Sequence, residues 1–334
     1  MARTGLGAGL AGHNVPCERA KTNCRPNIVA PLIGNGFATR LCRGPRMDER
    51  PKATVSMSNT PLIPQATVIY IGGYGHSGST LLESLLTASP DVIGCGEVVG
   101  ALYNLLPARK CSCGRTAEDC PIWGTVAGSA FMEIRADADR WTHVSLDAAL
   151  QGRGANLYKA MIDSSKTAWR HVRAPFQLRR RFGANFVLMH MVRNPKGAAW
   201  SVMQRSVRMR NSRSQALLCI SAAAGWLIAN IACETFRLRY PLQYQRLRYE
   251  DLVEAPRDAI KQLLEQVLPG GDLALQEVGA FDNRHQLHGN RMRLETLSFA
   301  DVRMDDGWKD AMPHHYQRLT GLLTKPLARL YDYA

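Results

Sequence analysis

The sequence predicts an α/β fold, a three-layer sandwich in which a central parallel sheet is covered by helices on both faces. Three observations carry this. Short β-rich apolar runs occur at residues 66–72 and 185–192. Each runs directly into a helical pattern. Neither shows the in-out alternation of a half-exposed strand; near-continuous apolar runs belong to strands buried on both faces.

Residues 66–72 (ATVIYIG) form the first strand, and a glycine-rich turn follows at 72–78. A helix is expected over 79–88, with Leu81, Leu82, Leu85 and Leu86 on one face. A second strand falls near 92–94, whereas 100–150 shows no clear period. A helix is expected over 154–162, and the second strong strand at 185–192 (NFVLMHMV). Pro195 then opens a helix carrying Trp200 and Ser201, at the first turn where proline is tolerated. An apolar helix near 216–236, a strand at 242–247 and a helix at 259–267 complete the alternation. The chain has no internal repeat.

Composition narrows the partners. The 334 residues are 46% hydrophobic and 21% charged, ordinary for a globular protein, with a net charge of +14. A basic balance favours anionic ligands without choosing among them. Residues 1–56 hold nine Lys/Arg against three Asp/Glu, so the body is only moderately basic. No zinc finger, RNA-recognition signature or basic heptad is present, and no nucleic-acid partner is expected. Residues 1–60, rich in Gly, Pro and Arg, read as a disordered extension or a mis-assigned start, with Met47 and Met57 as later starts. Cys17, Cys24 and Cys42 fall there in spacings that fit no zinc pattern. Residues 66–334 are expected to form one domain. The nine cysteines are scattered and no convincing secretory signal precedes them, so a cytoplasmic chain with reduced thiols is expected. The apolar stretch 216–233 contains Ser221, Gly225 and Asn230 and reads as a buried helix, not a membrane span.

The chemistry sits in the turn Gly73-Tyr74-Gly75-His76-Ser77-Gly78-Ser79-Thr80. A glycine turn before a helix points backbone N–H groups, and the positive end of the helix, at phosphate oxygens. Ser77, Ser79 and Thr80 add hydroxyl donors. Both glycines of a Walker loop are matched, but Ser79 stands where a kinase or nucleotidase needs lysine.

This turn resembles the loop with which sulfotransferases grip the 5′-phosphosulfate of 3′-phosphoadenosine 5′-phosphosulfate (PAPS). Gly75 occupies that family's usual proline position and His76 its cation position. A second segment strengthens the likeness. Arg193 at a strand end, with Ser201 eight residues on in the next helix, resembles the family's 3′-phosphate motif. A forked guanidinium and a hydroxyl suit the extra phosphate that distinguishes PAPS from ATP. The stretches 247–252 (LRYEDL), 163–166 (DSSK), 289–293 (GNRMR) and the cysteine segment around Cys111, Cys113 and Cys120 are similar to segments of bacterial members.

The resemblance covers about 66–333 and implies a P-loop-like sulfotransferase fold and transfer of a sulfuryl group from PAPS to a glycan, glycolipid or small-molecule acceptor, without a metal. It places Gly75, His76, Ser77, Gly78, Ser79, Thr80, Arg193, Ser201, Asn290 and Arg293 around the nucleotide. Glu97, in a Cys95-Gly96-Glu97 segment like that of tyrosyl-peptide sulfotransferases, is the expected base, although Val98 and Val99 stand where those enzymes carry basic residues. His76 and Lys166 are the expected cations, with His76 only partly charged at neutral pH. Glu250 and Asp251 are expected to cap a helix. Cys111, Cys113 and Cys120 lack an evident fourth ligand and are expected to be structural or incidental. Residues 100–155 and 205–215 are the expected acceptor surface. A P-loop kinase or nucleotidase, and a non-catalytic nucleotide-binding protein, remain as alternatives.

Overall fold

Five strands pair in parallel in the order β2-β3-β1-β4-β5: β1 Thr67–Gly72, β2 Val92–Gly94, β3 Ala160–Asp163, β4 Phe186–Val192 and β5 Tyr244–Arg248. These come from a computed structural model that describes residues 66–103, 109–124, 158–209, 214–270, 274–280, 283–295 and 297–333. The expectations for residues 1–60, and for the parts of the acceptor surface at 104–108, 125–155 and 210–213, lie outside the described residues.

Alternation along the strands builds two cores. Val68 and Tyr70 of β1, with Phe186 and Leu188 of β4, pack on one side against α3 (Ala174–Phe182) and α5 (Gln215–Arg239). Ile69 and Ile71, with Met189 and Met191, pack on the other against α1 (Ser79–Leu86), α6 (Tyr249–Glu254) and α7 (Pro256–Val267). The predicted leucine face of α1 is there: Leu82, Leu85 and Leu86 are fully buried, each contributing about 1.5–3 kcal/mol. The three-layer parallel α/β fold follows from this arrangement.

Helix α5 is long and apolar enough to cross a membrane, yet one side of it packs on β4, α4 (Pro195–Arg208) and α9 (His314–Leu330). Polar bonds pin it to the sheet. Asn230 Oδ1 meets His190 Nε2 of β4 at 2.7 Å, and Glu234 Oε1 accepts from Tyr244 OH of β5 at 3.1 Å; Tyr244 OH also lies 2.7 Å from His190 Nδ1. Burial lowers the His190 pKa to about 4, so the ring bridges strand and helix in its neutral form.

Two expected elements are corrected. The helix over 154–162 is not formed at its described end: residues 160–163 are β3, hydrogen-bonded to β1 on one edge and β2 on the other. Residues 154–157 lie outside the described residues. Sheet pairing overrides weak helical propensity in the short run Ala160–Ile162, which is wholly buried. The strand expected at 242–247 starts later, at Tyr244, because Pro241 lacks a ladder donor and opens a 3-10 turn over Pro241–Gln243.

The sheet order reverses beside β1, which lies between β3 and β4. A crevice at the carboxyl ends of the strands opens where such a reversal occurs. The loops after β1, β2, β3 and β4 therefore converge on one place.

Candidate functional site

The glycine loop lies at that reversal. Gly73 (φ +117°) and Gly78 (φ +94°) occupy the left-handed region, and Gly78 is the N-cap of α1. Neither position has room for a side chain: a Cβ would lie 2.3 Å from Met191 O at Gly73 and 2.7 Å from the Tyr249 ring at Gly78. The loop is clamped to the residue after Lys166. Gly73 N–H donates to Thr167 Oγ1 and Thr167 N–H to Gly73 O, both at 3.1 Å. His76 also has positive φ (+68°), a strained state for a residue with a side chain and one that concentrates at functional sites.

The loop presents chemistry suited to an anion. Ser77 is 1% exposed, and its hydroxyl meets no hydrogen-bond partner. Buried polar atoms are normally paired, so an orphan at the mouth of a phosphate-type loop fits a ligand oxygen. Outside the loop, on the 289–293 segment, Arg293 Nε is also buried without a partner. His76 Nδ1 meets Ser201 Oγ at 2.9 Å, joining the loop to α4. The expectation of a partly charged His76 is corrected by its surroundings. Burial first, then the positive charges of Arg205, Lys166 and Arg193, lower its pKa to about 4.

Arg193 stands at the end of β4 and is 5% exposed. Its guanidinium lies over the Tyr249 ring, 4.5 Å from the centroid. Nη1 donates to His76 O at 3.1 Å, and Nη2 to Asp305 O at 2.5 Å and Asp305 Oδ2 at 3.0 Å. A cation stacked on an aromatic ring and pinned at two points is pre-organised for an anionic ligand.

Glu97, after β2, pairs with Lys166 Nζ after β3. His288 Nδ1 lies 3.3 Å from its other oxygen. Burial favours the protonated acid, but the adjacent His288 ring and the charge of Lys166 outweigh it and hold the pKa at about 2. The Lys166 side chain passes beside the loop, its Cδ 3.4 Å from where a Gly75 Cβ would stand. It therefore links Glu97 to the glycine turn. Behind them Glu83, on α1, accepts from Gly96 N–H at 2.5 Å and fixes the backbone that carries Glu97.

The structure thus brings Gly73–Thr80, Glu97, Lys166, Arg193 and Ser201 to one crevice. Gly289 brings the 289–293 segment to Glu97, with a Cβ there 3.6 Å from Glu97 Oε1. Asn290 is exposed and caps the following turn, its Oδ1 accepting from Met292 N–H at 3.2 Å. Glu250 does not cap a helix as expected. Its Oε1 accepts from Asn194 N–H at 3.2 Å and its Oε2 from Tyr333 OH at 2.5 Å, tying the residue after Arg193 to the end of the chain. Sequence reasoning missed Thr167, Tyr249, His288 and Asp305. Tyr249 lay inside a stretch already singled out, whereas His288 and Asp305 carry no local signal.

The expectation that the three cysteines lack a fourth ligand is also corrected. His285 joins Cys111, Cys113 and Cys120, with the ligating atoms all within 4.8 Å of one another. A separate cleft of about 480 Å³ opens between the start of α4 and α9, lined by Lys196, Lys325 and Arg329 among others. The phosphate-type loop is not among its walls.

No curated protein matches the chain. Among solved structures, a sulfotransferase domain from the curacin biosynthetic pathway is similar at 20% identity, covering 80% of this chain and 98% of its own, with a TM-score of 0.47. A sulfotransferase domain from the Synechococcus PCC 7002 olefin synthase is similar at 21% identity, covering 78% and 94%, also with a TM-score of 0.47. Retinol dehydratase in complex with androsterone and the inactive cofactor PAP is similar at 12% identity, covering 81% and 82%, with a TM-score of 0.40. The sequence itself is more telling: residues 68–267 match the profile of the Sulfotransferase family, more than half the chain and the whole span from the glycine loop through Arg193 to α7. The chain belongs to the sulfotransferase family.

Proposed function

We propose that the protein transfers the sulfuryl group of PAPS to a hydroxyl or amine of a glycan, glycolipid or small-molecule acceptor. The observation that carries the reading is Arg193. It is a buried, ring-stacked guanidinium bonded to the phosphate-type loop itself, and it stands in the segment that resembles the family's 3′-phosphate motif. The orphaned Ser77 hydroxyl and the unpartnered Arg293 Nε supply further donors for an anion of this kind.

PAPS supplies the activated sulfuryl group: a bond forms between the acceptor oxygen and sulfur, and the bond from sulfur to the phosphate oxygen breaks. The residues of this chain then have distinct tasks. Backbone N–H groups of the loop and the hydroxyls of Ser77, Ser79 and Thr80 hold the 5′-phosphate side. Arg193 and Ser201 hold the 3′-phosphate side. Lys166 is near enough to the loop to stabilise charge on the transferred oxygens, and Glu97 takes the acceptor proton.

The Glu97–Lys166 pair couples the last two tasks. A carboxylate with a pKa near 2 is a poor base. When Lys166 turns toward the donor, Glu97 loses a neighbouring positive charge and its proton affinity rises. Proton uptake is thereby tied to occupancy of the donor site.

The test is transfer of radiolabelled sulfate from PAPS to a panel of hydroxylated acceptors, with Glu97→Gln alongside. Glu97→Gln should lower kcat by about 10²–10⁴-fold while adenosine 3′,5′-bisphosphate affinity stays within a few-fold. Full turnover in Glu97→Gln removes it as the base. Mg²⁺-dependent ATP turnover without PAPS turnover overturns the reading in favour of a kinase.

A further inference from the structure

The geometry points to a structural zinc ion held by Cys111, Cys113, Cys120 and His285, distinct from the phosphate-type crevice and fastening the 110–116 hairpin to the segment that carries His285.

The donor set comes first. Three thiolates and one imidazole are soft and borderline ligands that select zinc over hard cations such as Mg²⁺ or Ca²⁺. All four are supplied by the protein, so no coordination position is left open for substrate, as in structural zinc sites. The distances fit. With Zn–S near 2.3 Å and Zn–N near 2.0 Å, a tetrahedral site has edges of about 3.5–3.8 Å. Cys120 Sγ lies 3.7 Å from Cys111 Sγ and 3.3 Å from His285 Nδ1. The widest separation, up to 4.8 Å, closes with side-chain movement of about 1 Å. A disulfide needs sulfurs near 2.05 Å, and the three cysteines are free thiols.

The surroundings are built for the ligands. Cys111, Cys120 and the neighbouring Trp123 are buried at 2% exposure or less. Residues 110–116 form a short hairpin, with Lys110 bridging Thr116, Gly114 N–H donating to Cys111 O, and Gly114 at φ +83°. That turn sends Cys111 and Cys113 to the same side. The strand-like segment bearing His285 is held on three sides. Ser112 N–H donates to Gln286 O, Gln286 N–H donates to Ser112 Oγ, and Trp123 Nε1 donates to His285 O. His285 N–H in turn donates to Gly94 O at the end of β2. Backbone bonds on both sides of the cluster therefore fix the ligands before any ion arrives.

Binding displaces the thiol protons to solvent and involves no change of oxidation state. Its consequence reaches the crevice through the chain. His285 is three residues before His288, whose carbonyl accepts from Glu97 N–H at 3.2 Å and whose ring faces the Glu97 carboxylate.

Elemental analysis of the full-length protein, purified without chelator, tests the site. The expected result is about one zinc per chain, falling at least fivefold in Cys113→Ser and in His285→Ala. Growth with Co²⁺ in place of zinc should give the thiolate-to-cobalt charge-transfer band and the intense visible bands of tetrahedral Co²⁺. This readout serves even where a variant fails to fold, because it uses the natural sequence. Metal-free protein with all thiols titratable overturns the proposal. So does a Cys111–Cys120 disulfide seen as the loss of two hydrogens by mass, or undiminished zinc in both variants.

Discussion

Removing the Arg193 guanidinium should abolish selectivity for the 3′-phosphate while leaving the rest of the nucleotide site measurable. The magnitude follows from its contacts. Two N–H donors directed at a phosphate are charge-assisted, worth about 1.5–3 kcal/mol each. Against this stands the Asp305 ion pair that the ligand displaces; the Asp305 side chain is 66% exposed, so the loss is at most about 1 kcal/mol. The net preference for adenosine 3′,5′-bisphosphate over 5′-AMP is then about 2–5 kcal/mol, or roughly 30- to 4,000-fold at 1.4 kcal/mol per tenfold. The assay is calorimetric titration of both nucleotides into the natural protein, Arg193→Ala and Arg193→Lys. Arg193 also bonds His76 O and stacks on Tyr249, so Arg193→Ala loosens the loop as well. The 5′-AMP titration measures that loosening, and the ratio of the two affinities isolates the 3′-phosphate contribution. In Arg193→Ala the ratio should fall below about tenfold, and in Arg193→Lys it should be intermediate, because a point charge survives without the fork. A ratio in Arg193→Ala equal to that of the natural protein refutes the assignment of Arg193 to the 3′-phosphate.

Lys166→Ala should raise the Glu97 pKa from about 2 toward the ordinary carboxylate range, shifting the acid limb of the kcat/KM profile upward; an unmoved limb would break the proposed coupling. Burial raises the Glu83 pKa from the ordinary 4.5 to about 7, so the folded state binds more protons than the unfolded one between those values. Its contribution to stability is fully present below pH 4.5 and is lost as pH rises through 7, a change on the order of 3 kcal/mol. Glu83→Gln keeps an acceptor for Gly96 N–H and does not titrate, so its Tm relative to the natural protein should rise from pH 5 to pH 8; a constant difference contradicts this. Gly78→Ala, at φ +94° with the Tyr249 ring 2.7 Å from the new carbon, should cost about 2 kcal/mol or more and weaken nucleotide binding at least about tenfold. Unchanged Tm and affinity would mean that the loop adapts freely.

What could be read from sequence was what a local pattern fixes. The β1 run, the glycine turn and the leucine face of α1 are contiguous, so backbone geometry and chemistry sit together in one stretch. Arg193 and Ser201 were singled out by their resemblance to a family motif, and the structure brings both against His76 of the turn. Contacts across the sheet were not legible. Tyr249 lies 56 positions from Arg193, Thr167 lies 94 from Gly73 and His285 lies 165 from Cys120, and only the order β2-β3-β1-β4-β5 brings such residues together. The helix expected at 154–162 failed for the same reason: β3 is defined by its two neighbours, and nothing within those few residues announces them.

Helix α5 carries a consequence for the birth of the protein. Leu217, Ile220, Ile231 and Leu238 remain exposed on it in the folded chain, while its opposite side is covered partly by α9. Synthesis runs from the N-terminus, and α9 is the last helix described, at His314–Leu330. For the time taken to make the residues between Arg239 and His314, a 25-residue apolar helix therefore has part of its packing side uncovered as well. At about 5–20 residues per second that interval lasts several seconds, long enough for chaperones or other nascent chains to engage it. His190, Asn230's hydrogen-bond partner in the folded chain, is already synthesised in β4 by then, so a polar tether to the sheet is available to the helix before α9 exists.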